Sequence, residues 1–152
     1  MSYLWLVLLL AWAAPAPVPL VLDARAVHRL AGPLEARHQL PRGLLRAVVR
    51  CEDPTWNAAV VAVRPWGCAV GLGQIAVRRC PPWSVWLLTR ARVNLAASAE
   101  LLADSRRRCR DPKSRPGACP CPWAHYDWGD RTRWCRRVTR ALRTRIPPDW
   151  GA

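Results

Sequence analysis

The sequence predicts a mainly α-helical, disulfide-stabilised single domain with a small β element near residues 58–75. Three observations predict it. Apolar side chains recur at spacings of three and four in separate stretches. Apolar residues make up 51% of the chain, too many for a disordered polymer. Seven cysteines fall in 152 residues, a length that supports one modest core.

The elements follow in chain order. Residues 4–14 (LWLVLLLAWAA) form one apolar run, short for a bilayer span and suited to the core of a signal peptide. Ala14 and Ala16, and again Ala24 and Ala26, offer small-x-small cleavage sites. Residues 1–26 are therefore read as a signal peptide or N-terminal anchor and 27–152 as the folded domain. Both readings put that domain outside the cytoplasm, in a periplasm or the extracellular space. Residues 27–39 are read as a short helix, with Pro41 in the first turn of the next.

Residues 42–53 (RGLLRAVVRCED) carry the clearest period in the chain. Leu45, Val48, Val49 and Glu52 share one face, Arg42, Arg46 and Arg50 line the other, and Pro54 stops the helix. Glu52 thus continues an apolar stripe in a last helical turn. Desolvation and the negative end of the helix dipole both predict a raised carboxyl pKa.

Residues 58–63 are read as a short strand or buried loop, and 66–75 (WGCAVGLGQI) as a close-packed glycine turn. Gly71-x-Gly73 lacks the third glycine of a dinucleotide site. Residues 84–104 predict one long helix with Leu88, Ala91, Leu95, Ala99 and Leu102 on a face and Asn94 beside it. Residues 106–122 are read as a loop. Asp130 is the expected N-cap of a last helix running to about Arg145, with Trp134, Val138, Ala141 and Leu142 inward and Arg133, Arg136, Arg137, Arg140 and Arg143 outward.

Cysteines 51, 68, 80, 109, 119, 121 and 135 are an odd set, so at most three bridges form and one thiol remains. The spacing leaves their connectivity open. A metal site at Cys109, Cys119, Cys121 and His125 would lack any C-x2-C pair, and Cys119-Pro-Cys121 is stiff. No metal and no organic cofactor is expected. The net charge of +14 calls for an anionic partner, whether cell wall, lipid or nucleic acid. No nucleic-acid motif accompanies it.

Four segments carry more specific information. Leu44 to Glu52 (LLRAVVRCE) is followed by Trp56-Asn57. Cys68 to Ile75 (CAVGLGQI) parallels a pattern G-A-x-G-L-M-Q-I. Asn94-Leu95 precedes Leu101-Leu102, and Ala124 to Gly129 (AHYDWG) parallels A-x-Y-N-x-G. In this order, from about Leu40 to Val138, they resemble the catalytic domain of soluble lytic transglycosylases, a lysozyme-like fold shared with goose-type lysozymes.

The resemblance implies that the substrate is peptidoglycan and that Glu52 is the catalytic acid. Gly71, Leu72, Gln74 and Ile75 would hold the sugar, chiefly through backbone groups and the Gln74 side chain. Tyr126 would hydrogen-bond Glu52 or the substrate acetamido group. Glu52 would protonate the glycosidic oxygen between N-acetylmuramic acid and N-acetylglucosamine, then take the C6 hydroxyl proton as a 1,6-anhydro ring closes. A monomer is expected. Asp53 stands for the family's serine, Gly73 for its methionine and Asp127 for its asparagine, and the Glu52–Gln74 span is longer than usual. Asp53, Asp127 and Asp130 are the candidates for a second carboxylate in a hydrolytic variant. Trp56, Trp66, Trp123 and Trp128 are candidates for sugar stacking and, more ordinarily, for the core. A non-enzymatic cationic wall- or membrane-binding protein, acting through the basic 130–145 stretch, is the reading from another class.

Overall fold

In the computed structural model the described residues are 21–111, 113, 119–127 and 129–144. They form helices α1 (Ala24–Arg37), α2 (Leu44–Glu52), α3 (Pro82–Leu88), α4 (Ala91–Arg110) and α5 (Arg131–Leu142), with a 3-10 turn at Ala124–Tyr126. Strands β1 (Val61–Arg64), β2 (Gly67–Val70) and β3 (Ile75–Arg78) make one antiparallel sheet in that order. The mainly helical class, the small β element and the disulfides agree with the sequence. Cys68–Cys80, Cys109–Cys119 and Cys121–Cys135 are bridged and Cys51 is free. All three thiols of the metal alternative are thereby spent in bridges, and three bridges suit an oxidising environment. No helix among the described residues is long and apolar enough to cross a membrane.

Helix α2 is central. Every residue from Leu44 to Val49 is buried. Leu44, Leu45, Ala47 and Val48 join a cluster with Ala99, Leu102, Trp134 and Val138, while Val49 joins Leu22, Val27, Leu72 and Leu95. Two apolar clusters therefore meet on one helix, which packs against α1 and α5. On the expected arginine face Arg42 and Arg50 are exposed, and only Arg46 departs from it. Arg46 is only 5% exposed, because α5 and its end cover it, and its Nη2 donates to the Thr144 carbonyl at 3.3 Å.

Other boundaries differ for local reasons. Pro41 lies outside α2, whose N-cap is Gly43 in the left-handed region at φ 84°. The expected 84–104 helix is two. The Thr89 hydroxyl donates to the Trp86 carbonyl and Asn94 Nδ2 to the Leu88 carbonyl, so side chains take the oxygens that would continue the turn. Helix α4 extends into the expected 106–122 loop as far as Arg110, helped by Asp104 pairing with Arg107 and Arg108 at 3.2 and 2.7 Å. The sheet reaches residue 78, and β2 occupies much of the predicted glycine turn. Asp130 does cap α5, accepting from the Arg133 amide at 3.0 Å, and that helix ends at Leu142.

The folded unit also begins before residue 27. Leu22 is buried, its amide donates to the Trp56 carbonyl at 2.9 Å, Val21 bridges Asn57, and Asp23 caps α1 through the Ala26 amide. The 26/27 boundary runs through the first turn of α1. A chain beginning at Val27 is expected to be about 3 kcal/mol less stable in urea unfolding than one beginning at Val21. Leu22 burial accounts for about 2 kcal/mol of that and the Asp23 cap for about 1. Equal midpoints would show that residues 21–26 add nothing.

Candidate active site

Glu52 closes α2 at its C-terminal end, half-buried, and its Oε1 accepts a short hydrogen bond from Trp134 Nε1 on α5. Burial is the largest influence on its carboxyl and raises the pKa above the ordinary 4.5. The Trp134 N–H works against that rise, the Asp127 charge adds to it, and Arg137 opposes it. The result is an acid held toward its neutral form in a partly dry setting. Arg137 also donates to the Cys51 carbonyl, satisfying one of the last oxygens of α2. Burial likewise pushes the Cys51 thiol up, which disfavours its thiolate.

At the other end of α2 lies Glu35 of α1, 2% exposed. Its Oε2 accepts from the Gly43 amide and its Oε1 from the Leu45 amide, both at 2.8 Å. A carboxylate on the first amides of a helix satisfies orphan donors and complements the dipole. Burial raises the Glu35 pKa and those two amides counter it. Glu35 therefore fixes where α2 starts, and hence where Glu52 ends.

The glycine turn is tied to this centre through Tyr126. Its ring stacks on Trp134, with centroids 5.5 Å apart and planes 17° from parallel. Its hydroxyl donates to the Gly73 carbonyl at 2.6 Å and stands 3.1 Å from Ser98 Oγ, which donates to it. The anticipated Tyr126–Glu52 hydrogen bond is not what forms. The tyrosine proton goes to Gly73, and the link to Glu52 runs through the indole of Trp134. Burial pushes the Tyr126 pKa up, with the Glu52 charge a further, smaller cause, so the hydroxyl stays neutral.

Gly73 explains its own departure from the methionine of the motif. A Cβ there would lie 2.0 Å from Ser98 Oγ and 2.6 Å from the Tyr126 hydroxyl. Asn94, fully buried, supplies the remaining support. Its Oδ1 accepts from the Gly73 amide at 2.7 Å, and its Nδ2 donates to the Val70 and Leu88 carbonyls at 2.8 and 3.0 Å. Gly71, at φ 73°, leaves room for that amide.

Gln74 Nε2 folds back onto the Gly71 carbonyl at 2.9 Å, and the Leu72 and Ile75 side chains point into the core. Gly71, Leu72 and Gln74 thus form one hydrogen-bonded turn leading into Ile75 at the start of β3, joined to Glu52 by Tyr126 and Trp134. Ligand contacts from Leu72 and Ile75 fall to their backbone, and the carbonyls already in use keep a second lone pair for an incoming donor.

The candidate second carboxylates separate clearly. Asp53 is buried and accepts from the Thr55 amide at 3.0 Å, the Thr55 hydroxyl and the Asn57 amide at 2.7 Å, so it shapes the loop leaving α2. Asp130 is spent on its cap. Asp127 alone of the three acts electrostatically on Glu52. Trp66 is 50% exposed, Trp56 and Trp123 pack against the core clusters, and Trp128 lies outside the described residues. Sequence reasoning missed Trp134, Arg137 and Glu35 as site residues. The sequence pattern set Trp134 on the inward stripe of the last helix and Arg137 on its basic face, yet at a spacing of three both reach the end of α2, and nothing local says that they meet Glu52 and the Cys51 carbonyl.

A raised carboxyl pKa means that the folded state binds protons more tightly than the unfolded chain. The stability contributed by protonated Glu52 is complete below about pH 4.5, its ordinary value, and is lost as pH rises through the folded pKa. Glu52→Gln is neutral at every pH. It is expected to be more stable than the wild type at neutral pH, with the difference closing toward pH 4 in thermal unfolding. A pH-independent difference would contradict the buried-acid description. No protein-family model, curated protein or solved structure matches the chain, so its function is argued from this geometry and from the sequence motifs.

Proposed function

We propose that this protein is a peptidoglycan lytic transglycosylase of lysozyme-like fold, with Glu52 as its single acid and base. The observation that carries the reading is the Glu52 carboxyl, half-buried with a raised pKa and fixed by the Trp134 N–H beside the 71–75 turn. A protonated carboxyl is the donor that a glycosidic oxygen needs as its bond to C1 of N-acetylmuramic acid breaks. The resulting carboxylate then accepts the C6 hydroxyl proton while that oxygen closes on C1, so the proton count balances and no water enters. Gln74 and the turn backbone orient the sugar. Tyr126 holds Gly73 in place rather than touching Glu52, and Trp134 keeps the acid's oxygen aimed.

The three bridges support export to a periplasm or the extracellular space. The basic surface, at +14 overall, would hold the enzyme on the anionic polymer and raise its encounter rate. The second reading is a hydrolase of goose-lysozyme type, favoured by the influence of Asp127 on Glu52. There Asp127 would activate water instead of leaving the C6 hydroxyl as nucleophile.

Mass spectrometry of products from purified peptidoglycan separates the two. Ends in 1,6-anhydromuramic acid are expected, with Glu52→Gln slower by about 10²–10⁴-fold, the usual worth of a general acid. Reducing ends carrying added water, lost in Asp127→Asn, would establish the hydrolase. Binding without cleavage would leave a cationic wall-binding protein.

A further inference from the structure

Helix α3 turns its apolar stripe outward. Ser84 is buried and Val85 and Leu88 are half-buried, whereas Trp83, Trp86 and Leu87 are 67%, 58% and 36% exposed. Trp83, Trp86 and Leu87 follow spacings of three and four, which places them on one side. The Arg90 guanidinium covers the Trp86 ring at 3.8 Å from its centroid. Exposed Arg78 and Arg79 precede the helix, and the Cys68–Cys80 bridge fastens its lead-in to β2. From Pro54 to Ala99 the chain contains no Asp or Glu. The apolar stripe therefore sits in a purely cationic stretch.

We propose that this stripe docks the protein on an anionic lipid bilayer. The indoles and Leu87 would enter the boundary between headgroups and acyl chains, and Arg78, Arg79 and Arg90 would meet lipid phosphates. Indoles favour that boundary because one edge is polar and the ring is apolar. Each arginine near an anionic leaflet contributes about 1 kcal/mol. A sugar platform fits less well. Leu87 has no ring face to offer, and Arg90 already occupies one face of Trp86. None of these residues belongs to the Glu52 centre, so docking and cleavage stand or fall separately.

The test is co-sedimentation of the full chain with vesicles of phosphatidylglycerol and phosphatidylcholine in equal parts, and of phosphatidylcholine alone. Any contribution from the apolar run at residues 4–14 is common to wild type and variants, so the ratio of affinities reads the stripe. The wild type is expected to bind the anionic vesicles more tightly than the neutral ones. Trp83→Ser/Trp86→Ser should weaken that binding at least about tenfold through lost apolar burial. Arg78→Gln/Arg79→Gln should weaken it about 30-fold, the equivalent of about 2 kcal/mol. Circular dichroism and melting of both variants should match the wild type. Unchanged affinity in both variants, equal affinity for the two vesicles, or no wild-type binding would overturn the proposal. So would a tryptophan variant that keeps vesicle binding but loses retention on peptidoglycan sacculi, which would give the stripe to glycan.

Discussion

A carboxyl group at the C-terminal end of a helix meets the negative end of the dipole, and burial there adds a desolvation penalty. Glu52 endures both because the Trp134 indole donates to its Oε1 from a helix 82 residues further along the chain. The contact requires α2 and α5 to be placed independently and accurately. Glu35 sets the start of α2 by taking the Gly43 and Leu45 amides. Asp130 sets the start of α5, and the Cys121–Cys135 bridge ties that helix to the segment leading into Tyr126. A carboxyl whose pKa is raised above its ordinary value is a product of how these helices are fastened.

The same economy governs the 71–75 turn. Asn94 uses its oxygen and both amide protons on the Gly73 amide and the Val70 and Leu88 carbonyls. One buried side chain thereby holds the turn, ends α3 and fixes the first turns of α4. Tyr126 joins this unit to the acid by stacking on Trp134 and donating to Gly73, a pair of contacts that requires position 73 to lack a side chain. Stacking of this kind contributes about 0.5–1.5 kcal/mol beyond area burial.

Much of this was legible where the signal is local. The α2 stripe pointed to a buried Glu52 because period and Pro54 lie within one short stretch. Asp130 was recognisable as a cap, and the odd cysteine count allowed at most three bridges and left one thiol over. What stayed hidden depends on distant partners. Arg46 reads as a surface residue until α5 covers it, and Glu35 reads as one more helical glutamate until its carboxylate meets the amides of α2. The break at Thr89 needed Asn94 to capture the Leu88 carbonyl, which periodicity averages over. Gly73 looked like a loss from the motif, and it is the space that the Tyr126 hydroxyl requires.

The central claim is that burial raises the Glu52 pKa and the Trp134 N–H holds it back. Nuclear magnetic resonance titration of the carbon-13-labelled Glu52 carboxyl, in the wild type and in Trp134→Phe, tests it most directly. A wild-type pKa above the ordinary 4.5, rising further when the indole donor is removed, is the predicted result. A wild-type value at or below 4.5, or one that Trp134→Phe leaves unmoved, would contradict it.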